Sequence, residues 1–100
     1  MEEKVRQVVF LPDADSAIEN IGTYIAEKGY PDTAEKYVEQ MIDFANSLSI
    51  LSQRYPVCRH EYLALHNFRC AVFDKKYIFI YKVSYTRLII HTIIHGSRLQ

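Results

Sequence analysis

Glycine and proline are scarce in this chain, at three residues each in 100. A composition so poor in turn formers excludes disorder and a loop-rich disulfide scaffold. There are only two cysteines, Cys58 and Cys70, and they form no C-x-x-C pattern. Charge of one sign is not in surplus, with 12 Lys plus Arg against 12 Asp plus Glu. A neutral chain has no overall attraction for nucleic acid, so such contact would need a local basic patch. No run approaches the roughly 20 apolar residues that span a membrane. The opening MEEKVRQVV has no apolar signal core. The expectation is a cytoplasmic protein with reduced thiols and no membrane attachment.

What is present is enough apolar material, 49% of residues, for one core and therefore one domain over residues 1–100. Residues 4–11, KVRQVVFL, read as a moderately alternating strand ended by Pro12 and Asp13. From Ala14 the period changes. Ala14, Ala17, Ile18, Ile21 and Ile25 follow the spacing of one helix face. Asp13 is the expected N-cap, with Ser16-x-x-Glu19 as a later candidate, and Gly29 the expected stop. Pro31 suits the first turn of a second helix, and Asp32-x-x-Glu35 resembles a capping box. Ala34, Tyr37, Val38, Met41, Ala45 and Leu48 carry a second apolar stripe that ends near Gln53. So short a turn between two helices predicts a helical hairpin.

Residues 53–66 have no clean period and read as a loop with a short extended piece. Strands follow at 67–74, 77–83 and 88–95, joined by links so short that neighbours must be antiparallel. The expected fold is α+β, in the order β-α-α-β-β-β, with a helical hairpin packed on one face of a four-stranded antiparallel sheet.

The turns suggest a register. If Asp74 pairs with Tyr77 and Ser84 with Arg87, side-chain alternation assigns the faces. Phe68, Cys70, Val72, Tyr77, Phe79, Tyr81, Val83, Leu88, Ile90, Thr92 and Ile94 share one face, which the helices should cover. Arg69, Ala71, Phe73, Ile78, Ile80, Lys82, Ile89, His91, Ile93 and His95 share the other. Both helices are needed on the first face, so the second is expected to stay open. An open apolar patch of that kind marks a partner site. A homodimer packed sheet on sheet is the alternative occupant.

The element order, the YIAEKGYPDTAEKYVEQ helical turn, the YIFIYKV strand and the TIIHGSR exit together resemble the RelE/ParE toxin superfamily. These are the toxins of bacterial type II toxin–antitoxin, or plasmid stabilisation, systems. YIFIYKV and IIHGSR look more like the ParE branch, as does an arginine at the start of the second strand, where Arg69 stands. That resemblance implies a growth-inhibiting toxin that needs no cofactor and binds a protein target, DNA gyrase in the ParE branch. It also implies a cognate antitoxin that lays an extended or helical segment over apolar surface, and contact with DNA only through the antitoxin complex. Arg69, Ile78, Ile80, Lys82, His91, Ile93, His95 and Arg98 are the residues expected to contact target or antitoxin.

The RelE branch implies instead a ribosome-dependent mRNA endonuclease, with Arg69, His91 and Arg98 as its chemistry. Cleavage needs a base, an acid and cations for the developing charge. Histidine has a suitable unperturbed pKa, and Arg98 resembles a phosphate-contacting arginine of that branch. Ile78, however, stands where those enzymes carry an essential arginine, and no tyrosine follows Arg98. Arg69 and Arg98 are also expected to lie over ~15 Å apart at ~3.3 Å per residue, too far for one phosphate. A third reading is an inactive toxin-fold module that dimerises through its open face.

Metal chemistry finds no footing. His91 and His95 are four residues apart on a strand, roughly 13 Å, and Cys58-x-His60 has no second ligand pair. Tyr24, Tyr37, Tyr77 and Tyr81 are expected to be core aromatics with wet hydroxyls. The loop carrying Arg59, His60 and His66 reads as a solvated connector, or else as a basic contact loop.

Overall fold

Pro12 ends the first strand and opens the first helix. In the computed structural model, which describes residues 5–51 and 55–98, β1 (Gln7–Phe10) passes through Leu11 into α1 (Pro12–Glu27). Leu11 is the N-cap, in extended backbone, with no side-chain hydrogen bond. Neither Asp13 nor Ser16 is therefore the cap the sequence suggests. Asp13 lies with Asp15 inside the first turn, where a carboxylate is favoured by the helix dipole. Proline wins the start because its missing N–H is one that the first turn leaves unbonded anyway. Gly29, at φ +94°, follows the helix in the left-handed conformation that glycine adopts without a Cβ clash. α2 (Pro31–Leu51) begins at Pro31 as expected.

The two apolar stripes face the sheet. Ala14 and Ile18 of α1, and Ala34, Met41, Ala45 and Leu48 of α2, are buried. The helices approach closely at Gly22, where a Cβ would stand 2.9 Å from Val38 Cγ2. Lys4 and Gln53, at the expected ends of β1 and α2, lie outside the described residues.

α3 (Glu61–Leu65), β2 (Arg69–Phe73), β3 (Tyr77–Val83), β4 (Arg87–His95) and a 3-10 turn at Gly96–Arg98 complete the chain. The sheet order is β1-β4-β3-β2. The sheet is mixed, not wholly antiparallel: β1 runs parallel to β4, with Gln7 beside Arg87 and Phe10 beside Ile90. The reason lies in residues that read as a plain loop. A parallel edge strand leaves the chain, after two antiparallel helices, at the wrong end of the sheet to begin β2. The segment after α2 carries it back, and Val57 pairs antiparallel with Arg69 on the way. The expected short extended piece is there, followed by the unexpected turn of α3.

Between helices and sheet the largest fully buried side chains are Tyr81, Phe79, Met41, Leu48, Leu88 and Ile90. Complete burial of one such side chain contributes about 1.5–3 kcal/mol, so this layer holds the fold together. Phe44 of α2 meets Phe73 and Phe79 at ring-centroid distances of 5.3 and 5.1 Å. Tyr37 donates to Asp74 Oδ2 at 2.9 Å, tying α2 to the β2–β3 turn. Burial first, and that hydrogen bond next, raise the Tyr37 phenol well above its ordinary range.

Two local irregularities set which side chains face the helices. In the β2–β3 hairpin Asp74 and Lys75 both have positive φ, at 53° and 58°. The ladder pairs Phe73 with Tyr77, not Asp74 with Tyr77, so β2 is slipped by one residue from the expected register. A one-residue slip turns every side chain of a strand over. In β4 the register jumps between Ile80↔Thr92 and Tyr81↔Ile90. His91 is the extra residue of a β-bulge, and everything after it changes face. The β3–β4 link behaves as expected, with Lys82 opposite Ile89.

Candidate functional site

The face away from α1 and α2 is built from Phe68, Cys70, Val72, Ile78, Ile80, Lys82, Ile89, His91, Thr92 and Ile94, following the observed registers. Of the candidate contact residues, Ile78, Ile80, Lys82 and His91 stand on this face as expected. Arg69, Ile93 and His95 do not. Arg69 pairs with Tyr81 and Ile93 with Phe79, so both belong to the helix side. Arg69 Nη1 donates to the backbone oxygen of Tyr55, whose ring meets Phe44 of α2 at 6.4 Å. Burial pushes the Tyr81 phenol above its ordinary value, against the opposing pull of the Arg69 guanidinium. Arg69 is thus part of the wall that closes the core.

His95 pairs with Tyr77 at the end of the sheet. Its Nδ1 accepts from the Ser97 N–H at 3.2 Å and lies 2.9 Å from Ser97 Oγ. These contacts anchor the tail to the end of β4. Arg98 is exposed in the 3-10 turn. Arg69 lies opposite Tyr81, whereas the turn that carries Arg98 follows His95, opposite Tyr77.

His91, Lys82 and Phe68 form the polar focus of the open face. Lys82 Nζ stands 4.5 Å from the centroid of the Phe68 ring, within cation–π range. The Phe68 and His91 rings meet edge to face at 4.8 Å and 88°. Burial, and after it the Lys82 ammonium, lower the His91 pKa from its ordinary value. The bulge places this imidazole beside Lys82, and a small pocket of about 310 Å³ opens where His91 and Thr92 meet Leu11, Pro12 and Asp13. Phe68 was expected in the core. With the Phe73↔Tyr77 register it comes to the open face, and the paired positive-φ residues of the turn were the missing signal.

The open face is not wholly bare. Ile80 is only 4% exposed. Cys70, its register partner, is joined by a disulfide to Cys58. The expectation of two reduced thiols is therefore not met in this structure. Residues 55–65 flank β2 and enclose a groove of about 1050 Å³ that reaches Cys70, Val72 and Ile78. Leu65, Tyr62 and Val72 are exposed along it at 75%, 62% and 57%. The sequence signal for this groove was the pair of cysteines, 12 residues apart. Among the described residues there is no group of three or more His, Cys, Asp or Glu placed to hold a metal ion. Among them, too, no helix is long and apolar enough to cross a membrane.

The arrangement offers a surface: an apolar floor, one ammonium, one half-buried imidazole. Among the described residues it does not gather several cations around one point, the arrangement that stabilises developing phosphate charge.

Comparison with known proteins agrees with that picture. The model of a family described as the ParE toxin of type II toxin–antitoxin system, parDE, matches residues 8–100. Among solved structures the chain is similar to the chromosomal ParDE TA system from P. aeruginosa, with a TM-score of 0.76 and 13% sequence identity. That likeness covers 91% of this chain and 96% of the other, and at such identity it speaks to the fold alone. No match to a curated protein is found.

Proposed function

This chain belongs to the ParE toxin family of type II toxin–antitoxin systems, and on that premise we propose that it stops bacterial growth by binding a protein target, DNA gyrase being the candidate. A cognate antitoxin, a small acidic protein encoded beside it, neutralises it by covering apolar surface. The observation that carries this reading is the composition of the open face. Ile78, Ile80 and Ile89 form a floor beside Lys82 and His91, a mixture that suits a protein partner with an apolar ridge and an acidic side chain. Ile78, Lys82 and His91 make the contact, with Ile80 buried beneath them and Arg98 at the rim. Arg69 and Ile93 support it from beneath, and His95 holds the tail.

Messenger RNA cleavage fits the same geometry poorly. Arg69 and His91 stand on opposite faces of the sheet, so the trio Arg69, His91 and Arg98 cannot converge on one phosphate.

The test is inducible expression in a bacterial host, with and without the neighbouring gene, followed by a supercoiling assay with gyrase. The reading predicts growth arrest, relief by the neighbour, and inhibition of supercoiling. Normal growth on induction of the chain alone rejects it. Arrest with untouched gyrase moves the target elsewhere.

A further inference from the structure

The Cys58–Cys70 disulfide joins a thinly attached segment to β2, the edge strand of the sheet. The segment that begins at Tyr55 and includes α3 has no buried residue in its helix. Its remaining ties to β2 are few. The Cys58 N–H donates to Phe68 O at 2.8 Å, Val57 pairs with Arg69, and Arg69 Nη1 donates to Tyr55 O. Cys58 is the exception in exposure, at 3%, and it is the residue that carries the disulfide. Segments with few buried apolar contacts open at low free energy. A covalent link across such a segment is therefore the element whose loss changes the local structure most.

We infer that this disulfide is a redox-operated clasp on the open face. When oxidised, it pins residues 55–65 along β2 and gives the large groove its outer wall. When reduced by a dithiol, it releases that wall and opens the β2 edge. In the reaction one thiolate of the dithiol attacks Cys70 Sγ, which lines the groove and is less buried than Cys58. The S–S bond breaks, and Cys58 leaves as thiolate and takes up a proton. The second thiol of the reagent then displaces Cys70 from the mixed disulfide. Two protein thiols and one oxidised dithiol result, a transfer of two electrons and two protons.

The inference deepens the proposed function, since the groove borders the same open face. Its test needs neither growth nor an antitoxin, so it stands or falls separately. The full chain is made by cell-free synthesis, air-oxidised, and compared with and without dithiothreitol by hydrogen exchange read by mass spectrometry. Alkylation counts the free thiols in each sample. The expected result is no alkylation before reduction and two alkylated thiols after it. Exchange should then rise at least tenfold in peptides spanning 55–66, with peptides spanning 77–90 unchanged. The Cys58→Ser/Cys70→Ser double variant should behave as the reduced chain does. Two free thiols in the air-oxidised protein overturn the inference. So does unchanged exchange in 55–66 after reduction, or a rise across the whole chain, which makes the disulfide a global staple.

Discussion

Arg69 and His91 stand on opposite faces of one sheet. Arg69 lies opposite Tyr81 and reaches the backbone of Tyr55, whereas His91 occupies the bulge of β4 beside Phe68. An RNA-cleaving site would have to bring these two side chains together. The first prediction is that induction of this chain leaves no new in-frame 5′ ends on cellular mRNA. Transcript-wide mapping of 5′ ends checks it, and codon-phased cuts would reject the assignment of faces.

The placement of Arg69 also predicts a structural cost. Arg69→Met keeps the aliphatic stem but removes the charged donor to Tyr55 O. Loss of a hydrogen bond from a charged group costs about 1.5–3 kcal/mol. Urea unfolding should show that decrease with an unchanged slope. Retention of wild-type stability would mean that the guanidinium does not hold the 55–58 segment.

Much of this fold could be read from the chain, and the errors have local causes. Both apolar helix stripes are where Ala14, Ile18, Met41, Ala45 and Leu48 place them, because a 3.6-residue period of large side chains admits one burial solution. β3 is the expected strand over the same residues, Tyr77–Val83. The faces of β2 and of the end of β4 are reversed for two reasons. Asp74 and Lys75 accept a left-handed backbone without glycine as a warning, and His91 inserts itself without leaving a mark in the alternation of LIIHTIIH. Register is a property of turns and bulges, and composition hardly constrains it. The parallel placement of β1 depends on pairing across the whole chain, and no local pattern encodes that. Ile78, Ile80 and Lys82 are placed as expected because β3 carries no irregularity of its own, and His91, the bulged residue itself, stays on the side of Phe68.

A third prediction concerns Gly22. Alanine there gains about 1 kcal/mol of helix propensity but puts a Cβ 2.9 Å from Val38 Cγ2. Overpacking between fixed backbones costs typically about 1–3 kcal/mol. Gly22→Ala should therefore destabilise the protein by roughly 1 kcal/mol net. In a Val38→Ala background the clash is gone, and the same substitution should become stabilising. The double-mutant cycle by urea unfolding decides it. Identical effects in both backgrounds would show that the helices do not meet there.

His91 supplies a pH dependence. Its folded pKa is lowered from 6.5 by burial and then by Lys82. Above the unfolded value both states are neutral and the group contributes nothing. As the pH falls through the unfolded value, the unfolded chain takes up the proton first, so stability declines until the folded value is passed. Between about pH 7.5 and pH 5 the wild type should lose more stability than His91→Gln. Thermal unfolding at several pH values measures the difference. Parallel curves for the two proteins would place His91 in open solvent.

The central claim is that the face carrying Ile78, Lys82 and His91 is the working surface of the toxin. The most direct measurement is growth after induction of Lys82→Glu/His91→Glu beside the wild type, with near-wild-type circular dichroism of the variant as the control for folding. The account predicts that the wild type arrests growth and that the charge-reversed face, folded as before, no longer does. Arrest of equal strength by both proteins would contradict it.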